Sequence, residues 1–75
     1  MSKVMGMLEI ERAIVPGRDK IITEDGEHEV ITNYVGAGEF RFKHADDGRE
    51  CSCYIESITG AIIDGKKVMM DRSRP

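Results

Sequence analysis

Six reversal signals cut this chain into pieces of strand length: Pro16-Gly17, Asp25-Gly26, Gly36-Ala37-Gly38, Asp47-Gly48, Gly60 and Asp64-Gly65. Three are Asp-Gly pairs, whose tolerance of positive backbone dihedrals suits tight hairpin turns. Between the signals the side chains alternate. Leu8, Ile10 and Ile14 oppose Glu9 and Glu11; Val30, Thr32 and Tyr34 share a parity; Phe40 and Phe42 oppose Arg41 and Lys43. Such runs bury one face of a strand and wet the other. Strands are therefore expected near 7–15, 19–24, 28–35, 39–44, 50–58, 61–63 and 66–70.

Composition agrees with this pattern. The apolar residues include nine Ile and five Val against one Leu, a bias toward branched side chains that favours strands over helices. With 75 residues there is material for one core. Short antiparallel strands in so short a chain bury a face by curling. The expected fold is all-β, a small partly closed antiparallel barrel of SH3-like, Sm-like or OB type with five to seven strands. The alternative is α+β with a short N-terminal helix, because Lys3, Met7, Ile10 and Ile14 also fall close to one helical face. Residues 1–70 are read as a single β domain and 71–75 as a flexible tail with nothing apolar to anchor it.

The charge balance excludes a protein given over to phosphate neutralisation. The net charge is −3, and the seven Lys/Arg of residues 38–75 are matched by seven Asp/Glu. Cys51 and Cys53 are too few and too close for a secreted disulfide framework, and Glu9, Glu11 and Arg12 interrupt the apolar N-terminal stretch. A cytoplasmic protein with no membrane association is expected.

Several groups of residues carry candidate chemistry. Cys51 and Cys53 with His44, and His28 elsewhere, form a set of soft ligands that zinc would accept. Their spacing departs from the usual knuckles, and two residues of one strand parity read more simply as small core side chains beside Ile55. His44 as base for a cysteine nucleophile, oriented by Asp46 or Asp47, needs a sheltered pocket that a core this small lacks room for. Gly36-Ala37-Gly38 lacks the third glycine and the following helix of a dinucleotide-binding turn, so it reads as a hairpin connection. No enzyme activity and no cofactor are expected.

The run from Phe40 to His44 would suit nucleic acid if the two Phe stacked on bases, but a barrel without Trp needs both in its core. Arg41 and Lys43 would then share a solvent face, and with Lys66 and Lys67 they are the candidate nucleic-acid-binding set. Glu24, Asp25, Glu27 and Glu29 crowd one hairpin tip and form a candidate acidic prong for docking on a basic protein surface. The methionines, Met1, Met5 and Met7 at one end and Met69 and Met70 at the other, suit either an adaptable interface or irregular core filling. The functional expectation is a non-enzymatic protein-binding module, an adaptor or inhibitor of the kind phages encode, acting as a homodimer on a larger protein. A nucleic-acid-binding barrel is the second reading and a small zinc module the third.

Overall fold

The computed structural model describes residues 3–44 and 46–73. It holds seven strands in one sheet: β1 (Lys3–Gly6), β2 (Lys20–Thr23), β3 (Gly26–Tyr34), β4 (Glu39–Lys43), β5 (Glu50–Tyr54), β6 (Gly60–Ile63) and β7 (Lys66–Asp71). A helix, α1 (Met7–Ala13), follows β1, and a 3₁₀ turn over Ile55–Ser57 follows β5. The order across the sheet is β1-β7-β6-β2-β3-β4-β5. All neighbours run antiparallel except β1 and β7, which are parallel. The fold is thus all-β with the short N-terminal helix of the alternative reading.

The sheet is not closed into a barrel. β1 and β5 are its two edges, and α1 lies where a closing strand would otherwise shield the core, packing on β1, β6, β7 and the 3₁₀ turn. The strand expected at 7–15 is this helix. Ile10, Glu11 and Ile14 are buried and Met7 is partly so, a spacing of i, i+3, i+4 and i+7, while Leu8 is exposed. Alternation would have buried Leu8 and wetted Glu11. The Glu9 carboxylate accepts from Gly6 N–H at 3.2 Å at the start of the helix, and Ile14 N–H closes its end on Ile10 O at 3.1 Å. The expected strand 50–58 also stops early, at Tyr54, where Ile55 N–H turns to bond Gly38 O at 2.7 Å.

The core is one cluster: Met5, Ile10, Ile14, Ile21, Val30, Phe40, Phe42, Ile55, Ile58, Ala61 and Val68. The N- and C-terminal segments pair through β1 and β7, whose register sets Met5 beside Met70 and Val4 beside Met69. Met5 enters the core, Met70 packs against it, and Met69 stays exposed; Met1 lies outside the described residues. Of the expected tail, Asp71 closes β7, Arg72 donates to Ile58 O at 3.3 Å, and Arg74 and Pro75 lie outside the described residues.

Asp19 ties the halves of the fold together, although nothing in its local pattern singled it out. Its buried carboxylate accepts from Val15 N–H at 2.7 Å, from the Arg18 guanidinium at 2.7 Å, and from Asp64 N–H at 2.9 Å. Asp64 and Gly65 form the two-residue β6–β7 turn with φ of 52° and 78°, the double positive value of a type I′ hairpin. Burial pushes the Asp19 pKa up, but the bonds from Arg18, Asp64 and Val15 outweigh it and hold the carboxyl below its ordinary 3.8.

Candidate functional site

The outer face of β3, β4 and β5 is where chemistry-bearing side chains meet solvent. Register fixes its rows: Glu29, Lys43 and Glu50 in one; Thr32, Arg41 and Ser52 in the next; Tyr34, Glu39 and Tyr54 in the last. Residues paired in register project to the same side, so Val30, Asn33, Phe40, Phe42, Cys51 and Cys53 form the opposite, inner face.

Tyr34 reaches the outer face through a bulge. Val30 pairs with Phe42 and Thr32 with Arg41, leaving Ile31 as an extra residue. One inserted residue inverts strand parity. Val30 therefore points inward and Tyr34 outward, although the sequence reading placed them on one face. Two further contacts hold this arrangement. Val30 exchanges hydrogen bonds with the α1–β2 connection, donating to Asp19 O at 3.2 Å and accepting from Gly17 N–H at 3.0 Å. Asn33 is drawn inward, its side-chain amide donating to Glu11 O at 2.7 Å and Ile14 O at 3.2 Å at the C-terminal end of α1. With Asn33 committed to the helix, its neighbour faces solvent.

The result is that both tyrosines of the chain stand on one row, 43% and 58% exposed at Tyr34 and Tyr54, with Glu39 between them. No cation among the described residues forms an ion pair with Glu39. Arg41, the next cation along β4 on this face, instead bonds Glu50 at 3.2 Å. Sequence reasoning missed this row. The signal that existed was the parity of Tyr54 against Cys51 and Cys53; that of Tyr34 was hidden by the bulge.

The residues singled out from sequence are dispersed. Glu24 and Asp25 form the exposed two-residue turn between β2 and β3, with Asp25 N–H bonded to Thr23 Oγ1 at 3.2 Å. Glu27 and Glu29 follow on the outer face of β3, where Glu29 is set in register between Lys20 and Lys43. Row neighbours of alternating sign, Lys20, Glu29, Lys43 and Glu50, cancel each other's field. Lys66 and Lys67 lie on β7, three strands away from β3 in the sheet. Arg41 and Lys43 thus share a face, but the four cations do not form one patch.

The soft ligands are not assembled either. Cys51 and Cys53 are free, half-buried thiols packed against the core beside Phe42 and Phe40. Burial, with a smaller contribution from Glu39, pushes the Cys53 thiol up to about 11, so it stays protonated at neutral pH. His28 is buried, its Nε2 paired with Thr23 Oγ1 at 2.9 Å and its ring 4.8 Å from Phe42 and 5.1 Å from His44. His28 Nδ1 has no hydrogen-bond partner among the described residues. Desolvation, then the neighbouring His44, lowers the His28 pKa below its ordinary 6.5. Among the described residues no group of three or more His, Cys, Asp or Glu is placed to hold a metal ion.

Gly36-Ala37-Gly38 forms the β3–β4 turn, with φ of 93° and 66° at its glycines. No helix among the described residues is long and apolar enough to cross a membrane. Comparison with family models, curated proteins and solved structures returned no match.

Proposed function

We propose that this protein is a binding module that docks on another protein through the outer face of β3, β4 and β5. The observation that carries the reading is the Tyr34–Glu39–Tyr54 row. Tyrosine offers a large contact surface with a polar tip and few rotatable bonds, and both copies here are held on rigid strands facing water. A chain with few aromatics gains nothing in stability from leaving two of them exposed. The remaining rows supply hydrogen-bonding and charged groups of both signs, the composition of a polar rim around an aromatic anchor.

Nucleic acid is the weaker reading of the same face. Lys20, Arg41 and Lys43 are outnumbered by Glu27, Glu29, Glu39 and Glu50, and a carboxylate between the two stacking rings repels phosphate. The acidic turn at Glu24 and Asp25 sits at the opposite end of β3 from Tyr34, about 26 Å away along the strand. It is a separate surface, and it lacks an apolar anchor of comparable size.

The test is a display selection of random peptides against the intact chain, repeated against a Tyr34→Ser/Tyr54→Ser double variant. Binders enriched on the parent and lost on the variant support the reading, provided the far-ultraviolet spectrum is unchanged. Enrichment that is absent, or equal on both proteins, overturns it.

A further inference from the structure

The row that anchors the proposed docking face also has the composition of a cation receptor. Adjacent strands lie about 4.8 Å apart, so Tyr34 and Tyr54 flank Glu39 at a separation of about 10 Å. A flat guanidinium between two rings, in contact with each face, needs about 7 Å, and tilting of exposed side chains covers the difference. Aromatic faces attract cations within about 6 Å of the ring centroid. A carboxylate at the floor of the gap adds a charge-assisted hydrogen bond that can be bidentate to arginine.

Three observations indicate that the cation comes from outside. Glu39 has no ion-pair partner among the described residues. The nearest candidate on the face, Arg41, is engaged by Glu50. The chain as a whole carries −3, which favours encounter with a basic partner. A metal ion does not suit the place, because the row offers a single carboxylate and no second acidic or soft ligand. β5 is moreover a sheet edge, so an extended segment laid alongside it can pair its backbone and project a side chain over Tyr54 toward Glu39.

We infer that Tyr34, Glu39 and Tyr54 clasp an arginine side chain presented by an extended, basic segment of the partner protein lying along β5. The inference rests on the docking reading above and names the chemistry of what docks. Arginine suits the row better than lysine, because its planar group stacks on both rings while its donors reach the carboxylate.

The experiment titrates the intact, isotopically labelled protein with a seven-residue peptide, Gly-Ser-Gly-Arg-Gly-Ser-Gly, blocked at both ends, while backbone amide shifts are followed by NMR. A second peptide carries citrulline in place of arginine, which keeps the shape and removes the charge. Saturable shifts centred on Tyr34, Glu39 and Tyr54, absent with citrulline and weakened about tenfold in Glu39→Gln, are the expected result. Shifts that titrate with undiminished affinity in Glu39→Gln, or that persist with the citrulline peptide, overturn the cation clasp, and so do shifts centred on Glu24 and Asp25. No shift at millimolar peptide also overturns it. The docking reading is judged separately: selected peptides that need both tyrosines but contain no arginine preserve it while removing the clasp. Tighter binding of an oligothymidylate than of the arginine peptide at this row overturns both.

Discussion

On the inner face of β3, β4 and β5, Phe40 is fully buried, Phe42 and Val30 nearly so, and His28 fills the space beside them. One residue along the same strands, the outer face leaves Tyr34 and Tyr54 about half in water, with Glu39 between them in no ion pair among the described residues. The two surfaces share a backbone, so the difference lies in what each side chain meets. The inner residues share one core with Ile10 and Ile14 from the helical segment and Ala61 of β6, and they supply stability. On the outer face Arg41 pairs with Glu50, whereas Tyr34 and Tyr54 keep about half their surface in water, available to a partner.

Substitutions break this contrast with very different force. Phe40→Ala on the inner face should cost about 3–5 kcal/mol, a large share of the stability of a domain this size, and leave much of the chain unfolded in denaturant titration at low urea. Asp19→Ala comes next, at about 2–4 kcal/mol, because it strips Val15 N–H and Asp64 N–H of their acceptor at once. Its thermal midpoint should fall by more than that of any outer-face variant.

Asn33→Leu sharpens the comparison at the point where the two faces are assigned. Losing the amide orphans the carbonyls of Glu11 and Ile14 at the C-terminal end of α1, for about 1–3 kcal/mol, and removes what draws Asn33 inward. Partner binding through Tyr34 should weaken with it, although Asn33 itself lies on the inner face. Tyr34→Ser and Tyr54→Ser fall at the small end for stability, within about 0.5 kcal/mol by denaturant titration, while abolishing capture of selected peptides. A tyrosine variant that destabilises as much as Phe40→Ala would erase the distinction between the faces.

Acidification probes the inner face without mutation. The folded-state pKa of His28 lies below its unfolded value of 6.5, so between the two the unfolded chain binds more protons. The stability held by neutral His28 is complete above pH 6.5 and is lost as pH falls below it toward the folded pKa. The charged neighbours pull in both directions: His44 opposes protonation of His28, whereas Asp25 and Asp46 favour it. Denaturation followed from pH 7.5 to 5 should show this loss in the parent and a flatter profile in His28→Gln. The contribution of Asp19 fails in a separate window, below 3.8.

Much of the sheet was legible because reversal chemistry is local. Asp64-Gly65 takes the two positive φ values of its turn wherever the rest of the chain goes, and Phe40 and Phe42 alternate with Arg41 and Lys43 over a strand without interruption. The helix was legible only as an alternative. Seven residues satisfy both periods, and the choice between them was made by which side chains found cover, Glu11 inward and Leu8 outward. Partial closure into a barrel was inferred from the need to shield a core; the sheet stays open, and α1 supplies cover by another route.

The candidate site was hidden for a related reason. Lys43, Lys66, Glu29 and Cys51 drew notice because their chemistry shows in the sequence, yet their surroundings pair, separate or bury them. The Tyr34–Glu39–Tyr54 row carries no motif. It arises from cross-strand register, which joins residues 34, 39 and 54 through two hairpins, and from the bulge at Ile31.

Residue order alone thus determined where the chain reverses and that branched side chains would pair into strands, since both depend on local dihedral and side-chain preferences. Which face each residue of β3 shows was settled only in three dimensions. There α1 claims Asn33, the Asp19 connection holds Val30, and a single extra residue turns Tyr34 from the interior to the surface.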